Sequence, residues 1–218
     1  MSETIKPQGR YVITIGRSFG AGGRELGKIL AERLGISYYD KELLGEAAEK
    51  AGLSKALFER NDERAPGLLG GLASLSIGYS AISWYTSPGG TTADTVYRAQ
   101  SDFIRRVAQE SSCVIVGRTA DYILRDLPNV FNIFLHAPEE ACIARILSRN
   151  DCCDEERARA ALRRTNKLRA EYYNYYTDRH WGQADSYHLT VDSTAMPMDD
   201  LANFVIQYLT SYLTNKTK

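Results

Sequence analysis

Charge of either sign is not in excess in this chain: 27 basic residues meet 27 acidic ones over 218 positions. A neutral protein has no long-range field to draw it to nucleic acid or to an anionic membrane, so any anion site has to be local. Long apolar runs are also missing, and none approaches the roughly 20 residues that a membrane-spanning helix needs. The first residues, MSETIKPQGR, lack the apolar centre of a signal peptide. The expectation is a cytoplasmic protein with no membrane partner. Cysteine is sparse, and Cys113, Cys142, Cys152 and Cys153 show no CxxC spacing. Cys113 and Cys142 sit in apolar patterns and read as reduced core residues. Three dispersed histidines, His136, His180 and His188, have no metal-ligand spacing, which argues against a zinc site.

What the chain does have is alternation. RYVITIG (10–16), ISYYD (36–40), CVIVGR (113–118), FNIFLHA (131–137) and YHLTVD (187–192) read as five short buried strands. Between them lie helical patterns: one from Arg24 to Gly35, one from about Lys41 to Gly52, and one over Asp94–Glu110. Others begin at Pro138, run from about Asp154 to Tyr176, and close the chain at 198–213. Strands alternating with helices imply an α/β fold, about five parallel strands covered on both faces, in a single domain over 1–218. Residues 60–93 break the pattern, mixing glycine, serine and scattered large apolar residues without a period. They read as a mobile excursion that orders on binding a ligand or another subunit, or as irregular helices on the core. A homo-oligomer is one outcome of the former.

The stretch ITIGRSFGAGGRELG (13–27) runs from a strand through a glycine cluster into a helix. Gly20, Gly22 and Gly23 allow backbone angles closed to other residues and let successive amides turn toward one anion. The helix that follows adds unsatisfied N–H groups and a positive dipole end. Arg17 and Arg24 flank the cluster, so Arg17, Ser18, Gly20, Ala21, Gly22, Gly23, Arg24 and Glu25 form a candidate phosphate site. The pattern G-x-x-x-x-G-K-[ST] is not met. Aligned from the strand, Gly23 falls where the lysine belongs and Arg24 where the hydroxyl belongs. With one extra loop residue, Arg24 replaces the lysine and Glu25 the hydroxyl.

These segments together, with VIVGRTADYIL, NIFLHAPEEACIARI and EYYNYYTDRHWGQADSYHLTVDS in the same order, resemble the cytidylate kinase-like family of P-loop proteins. The resemblance spans about 11–194. It implies a three-layer P-loop NTPase-like fold and phosphoryl transfer from ATP or another nucleoside triphosphate to a CMP-like nucleoside monophosphate, with Mg²⁺ as an open question. It implies donor phosphates at Gly20, Gly22, Gly23 and Arg24, and an acceptor near Asp40 and Arg118. The family's aspartate after that arginine is Thr119 here, with Asp121 two positions on. The segment 145–170 corresponds to an arginine-bearing lid. On its long helix Arg157 and Arg164 lie seven apart beside the apolar stripe, while Arg159, Arg163 and Lys167 fall on a face expected to be solvated. The resulting expectation has Arg17 and Arg24 on donor phosphates, Arg118 on the acceptor phosphate, and Arg157 or Arg164 on the transferring group. Asp40, Asp121 or Asp185 would orient the acceptor or a metal. Two other readings stand beside it. One is an inert nucleotide- or anion-binding regulatory module; the other is an RNA-binding protein, which the zero net charge disfavours.

Overall fold

The computed structural model describes residues 9–40 and 93–216, with side chains from 97 onward in the second stretch. The expected helix at 41–52 and the excursion at 60–93 lie outside the described residues. Five strands form one parallel sheet: β1 (Val12–Arg17), β2 (Ser37–Tyr39), β3 (Cys113–Val116), β4 (Val130–His136) and β5 (Leu189–Asp192). Their order is β2-β3-β1-β4-β5, with every neighbouring pair parallel. Between them come α1 (Gly23–Leu34), α2 (Ala93–Glu110), α3 (Ala120–Ile123), α4 (Glu139–Ser148) and α5 (Glu155–Thr177). A 3₁₀ turn (Ala184–Ser186) precedes β5, and α6 (Met198–Lys216) closes the fold.

Strand side chains alternate between two cores, as the pleat requires. Ile13, Ile15, Val114, Val116, Phe131, Ile133 and Leu135 face α1, α4, α5 and α6. Val12, Cys113, Ile115 and Val130 face α2 and α3. Thr14 and Asn132, paired in register, join on that second face through a hydroxyl-to-amide hydrogen bond of 2.8 Å. The result is a three-layer sandwich. Helix α1 buries Leu26, Leu30 and Leu34 at fourfold spacing, and Gly35 ends it in the left-handed conformation. Arg33 then ties its last turn to Asp199 and Asn203 of α6.

The charges of α5 include inter-helix pairs that periodicity does not show. Arg159 and Arg163 both reach Glu139 at the start of α4, and Arg159 also pairs with Glu155. Arg163 and Lys167 are exposed, as expected of their face, while Arg159 is partly covered.

Candidate active site

All five strands point their C-terminal ends the same way, and in open α/β sheets ligands bind beyond those ends. There the glycine loop leaves β1 and enters α1. Ser18 donates its amide to the Leu135 carbonyl (3.0 Å), and Ala21 donates to Ser18 (3.2 Å). The Phe19 amide donates to Asn166 Oδ1 of α5 (2.7 Å), and Arg145 of α4 donates to the Gly20 carbonyl (2.8 Å). The first bond inside α1 runs from Leu26 N–H to Gly22, and Gly22 supplies no side-chain cap. The first turn of α1 thus begins without a side-chain cap, its amide end turned toward the loop.

Packing accounts for part of the glycine content. Gly20 and Gly22 have φ of 78° and 90°, in the left-handed region. A Cβ on Gly20 would stand 2.6 Å from the Cys142 carbonyl, and one on Gly22 would stand 2.7 Å from the Met198 methyl. The loop is thus seated between α4 and the start of α6. A Cβ on Gly23 would meet the Arg17 stem at 2.8 Å, and one on Gly117 would collide with the Arg17 guanidinium. Arg17 accordingly lies across the gap between the loop and the end of β3.

A cavity of about 820 Å³ opens over this loop. That is within the range of small-molecule sites, roughly 300–1,000 Å³. Ser18, Gly20, Gly22, Gly23, Arg24 and Glu25 form one wall, with Arg17 and Lys28 beside them. Arg118, Arg149, Asp151 and Arg169 face them, so six cations meet two carboxylates among the described lining residues. Arg149 is held by Asp151 at 2.7 Å. Arg169 donates to the Arg17 carbonyl (3.2 Å) and lies over the Phe19 ring at 5.7 Å. Arg24 and the buried Asp40, at the end of β2, form an ion pair of 3.7 Å. Tyr38 donates to Asp40 at 3.3 Å, and burial followed by that carboxylate raises the phenol well above its ordinary range.

Three consecutive residues after β3 are left-handed: Gly117 (φ 79°), Arg118 (62°) and Thr119 (51°). The two non-glycines carry strain of about 1–2 kcal/mol each. The turn presents the buried Arg118 to the large cavity and to a small adjoining niche of about 20 Å³. Asp121 lines the niche and accepts from Tyr173 at 2.6 Å. Burial pushes the Asp121 carboxyl up, and the Tyr173 and Tyr187 phenols are raised by burial and by that neighbouring acid.

Arg17, Ser18, Gly20, Gly22, Gly23, Arg24, Glu25, Asp40, Arg118 and Asp121 thus come together around one cleft, while Ala21 is buried beneath the loop. Three residues picked from the sequence stand elsewhere. Arg157 is exposed and turns back to Asp154 and Cys153 at the start of its own helix, and the long stripe-side placement does not carry it to the cleft. Arg164 is exposed and lines neither cavity. Asp185, also exposed, accepts from Gln183 (3.0 Å). In their stead α4 and its following loop bring Arg145 and Arg149, and α5 brings Asn166 and Arg169. Asn166 and Arg169 lie one turn apart, a spacing present in the sequence but without a motif to single it out. Among the described residues no group of three or more histidines, cysteines or carboxylates is placed to hold a metal, and no helix is long and apolar enough to cross a membrane.

The same architecture occurs in known proteins. An uncharacterized protein from Eubacterium ventriosum superposes with a TM-score of 0.69 at 27% identity, over 93% of this chain and 99% of that one. A gluconokinase from Sinorhizobium meliloti superposes at 0.55 and 14% identity, over 95% of both chains. A shikimate kinase from Acinetobacter baumannii, solved with shikimate, gives 0.50 and 18% identity over 96% of both. At the last two identities the likeness concerns the fold, which is that of P-loop kinases. No curated protein matches the sequence. The cytidylate kinase-like family matches residues 12–195, from the first residue of β1 to just beyond β5. The chain belongs to the cytidylate kinase-like family.

Proposed function

We propose that this protein is a nucleotide-binding phosphotransferase that moves a phosphoryl group from ATP, or another nucleoside triphosphate, to a small acceptor of the nucleoside monophosphate class, with CMP as the first compound to test. The observation that carries the reading is the uncapped start of α1 under a cavity of about 820 Å³ with six cations in its walls. Phosphoryl transfer asks the protein mainly for alignment and charge neutralisation, and little covalent help. Arg17, Arg24 and the α1 amides would hold the donor phosphates, Arg118 would hold the acceptor, and Arg149 and Arg169 would close on the transferring group. Arg157 and Arg164 would have to swing inward to take the role that the sequence suggested. Mg²⁺, bound with the polyphosphate, would supply further charge neutralisation. Glu25 and Asp151 are the carboxylates in the cavity wall that would hold it, with the Ser18 hydroxyl.

A second reading has one observation in its favour. The cation that would replace the missing lysine, Arg24, is paired with Asp40, as in a site that binds without transferring. Calorimetry with ATP, GTP and CMP, with and without Mg²⁺, separates the readings when followed by an ADP-release assay over CMP, other monophosphates, gluconate and shikimate. Acceptor-dependent ADP release supports transfer. Tight nucleotide binding with no release for any acceptor leaves the inert module.

A further inference from the structure

The niche beside the large cavity has a property that the phosphate chemistry does not use. Tyr187 is 9% exposed and lines it, and its hydroxyl has the Tyr173 hydroxyl and the Gly182 backbone as polar neighbours, yet it completes no well-formed hydrogen bond with either among the described residues. Leaving a buried hydroxyl unmatched costs about 1–3 kcal/mol, so such a group signals a partner that arrives from outside. Asp121, 5% exposed, also lines the niche, with one carboxylate oxygen engaged by Tyr173. Trp181 closes the side, and Phe134 fixes both aromatics, with ring centroids at 5.3 Å from Trp181 and 5.0 Å from Tyr187.

Size decides what can enter. A water needs about 10–15 Å³ by the same measure, so about 20 Å³ admits one polar group of that size and excludes a ring. Chemistry decides the rest. A carboxylate can only accept, whereas a phenol can donate or accept. A hydroxyl satisfies both at once, donating to Asp121 and accepting from Tyr187. The niche joins the phosphate cavity through Arg17, Arg118 and Arg169, which line both.

We propose that the niche is a specificity site for the phosphoryl acceptor, taking a single hydroxyl of a compact hydroxylated anion, with Tyr187 and Asp121 as the residues that read it. The inference rests on the phosphotransferase reading, since it assigns the acceptor's end of the same cleft. It makes the acceptor's hydroxyl pattern, and not its ring, the feature recognised at Tyr187. A site built to bond a hydroxyl rejects the analogue without it by large factors, up to about 10⁴–10⁵.

The test uses the full chain with Trp84→Phe, so that Trp181 reports alone, and a panel of CMP, AMP, gluconate and shikimate, each beside its singly deoxygenated analogues. Trp181 fluorescence gives the affinity, and ADP release gives kcat/KM. For one panel member, removal of one hydroxyl is expected to cost 100-fold or more in affinity. Tyr187→Phe should reduce that ratio to below tenfold by weakening only the hydroxylated compound. Tyr208→Phe, on the exposed face of α6, should leave it intact. An unchanged ratio in Tyr187→Phe, or no panel member perturbing Trp181, overturns the proposal and leaves the niche to a structural water. Calorimetry with ATP runs in parallel. Failure to bind ATP removes the phosphotransferase reading, while the Trp181 response still decides the niche.

Discussion

Arg24 and Asp40 meet at 3.7 Å across the mouth of the cleft, one from the first turn of α1 and the other from the end of β2. The arginine is half exposed, and its partner's carboxylate is buried. A fully exposed ion pair is worth about 0–1 kcal/mol, and the burial of Asp40 makes this one harder to break, but a polyphosphate offers several charge-assisted hydrogen bonds of about 1.5–3 kcal/mol each, enough together to offset that cost. Donor phosphates can therefore draw Arg24 away from Asp40. The departing arginine would leave a carboxylate beside the acceptor, so donor binding and acceptor orientation share one contact.

That contact sets opposite expectations for its two members. Arg24→Ala should weaken ATP about 10–100-fold, the loss of one or two charge-assisted contacts. Asp40→Asn should leave ATP affinity equal or slightly better, because Arg24 is released, while ADP release falls. Calorimetry and steady-state rates on the two variants check both. Equal loss of ATP binding in the two would show that the pair acts as one structural unit.

The loop glycines make a stability test. Gly20→Ala drives a methyl into the Cys142 carbonyl, which is backbone and has nowhere to move, at a left-handed φ. Gly22→Ala meets the free end of the Met198 side chain, which can swing aside. Gly20→Ala should cost about 3 kcal/mol or more and Gly22→Ala about 1–2 kcal/mol. Urea unfolding of both measures the difference. Equal and small losses would show that these glycines serve the ligand and not the packing.

The features legible in the sequence were the local ones. Gly35 closing α1, the start of α5 near Asp154, and the buried strand at Val12–Arg17 are all set by neighbours in the chain. The glycine cluster, Asp40 and Arg118 could be found because strand ends gather ligands in this architecture. Asn166 could not, nor could the contact that Arg169 makes from within the expected lid segment, since each reaches the loop across about 150 residues. The left-handed Arg118 and Thr119 were hidden for another reason: neither is a residue type that announces a positive φ. Helical periodicity located the stripe of α5 and its exposed face, where Arg163 stands, but not the pairing of Arg159 and Arg163 with Glu139 of α4.

Asn166 should prove a docking residue for the glycine loop. Asn166→Ala strands the Phe19 amide, at a cost of about 1–3 kcal/mol, and lowers Tm by roughly 2–10 °C for a chain of this size. Asn166→Asp keeps an oxygen acceptor but adds a negative charge beside the phosphate cavity. Its stability should stay nearer to the parent while ATP affinity drops. Thermal melts and calorimetry on the pair separate loop support from electrostatics.

Asp121 carries a pH signature. Burial raises its folded pKa above the unfolded value near 3.9, so over that window the folded state binds more protons than the unfolded one. Its contribution therefore diminishes as pH rises through the folded pKa. Asp121→Asn retains an oxygen for Tyr173 and removes the titration. Relative to the parent, the variant should gain stability between about pH 4 and neutrality, seen as a converging or crossing pair of Tm-against-pH curves. Parallel curves would place the carboxyl's titration at its ordinary value.

His188 gives the opposite sign, at the far end of the sheet. Its Nδ1 accepts from the Asn132 amide (2.8 Å), so the neutral ring carries its proton on Nε2, which faces the Tyr212 hydroxyl at 2.9 Å. Its ring lies parallel to Phe131, and Lys216 sits over the Tyr212 ring at 5.0 Å. Burial first, and the Lys216 charge second, lower the pKa of His188. A base whose folded pKa is depressed binds fewer protons folded than unfolded. Its stability is present in full above about 6.5 and is lost as pH falls from there through the folded pKa. Protonation would also set an N–H on Nδ1 against the Asn132 amide, breaking the link between β4 and the entry to β5. His188→Asn places an amide oxygen near the old Nδ1 and cannot titrate. It should be less stable than the parent at pH 8, where the ring packing is missed, and should lose little more by pH 5, whereas the parent declines over that interval. The effect should appear in Tm but not in ATP affinity, because every partner of His188 lies on β4 or α6 away from the cleft. An NMR titration of the His188 ring following the unperturbed histidine curve would remove the argument at its root.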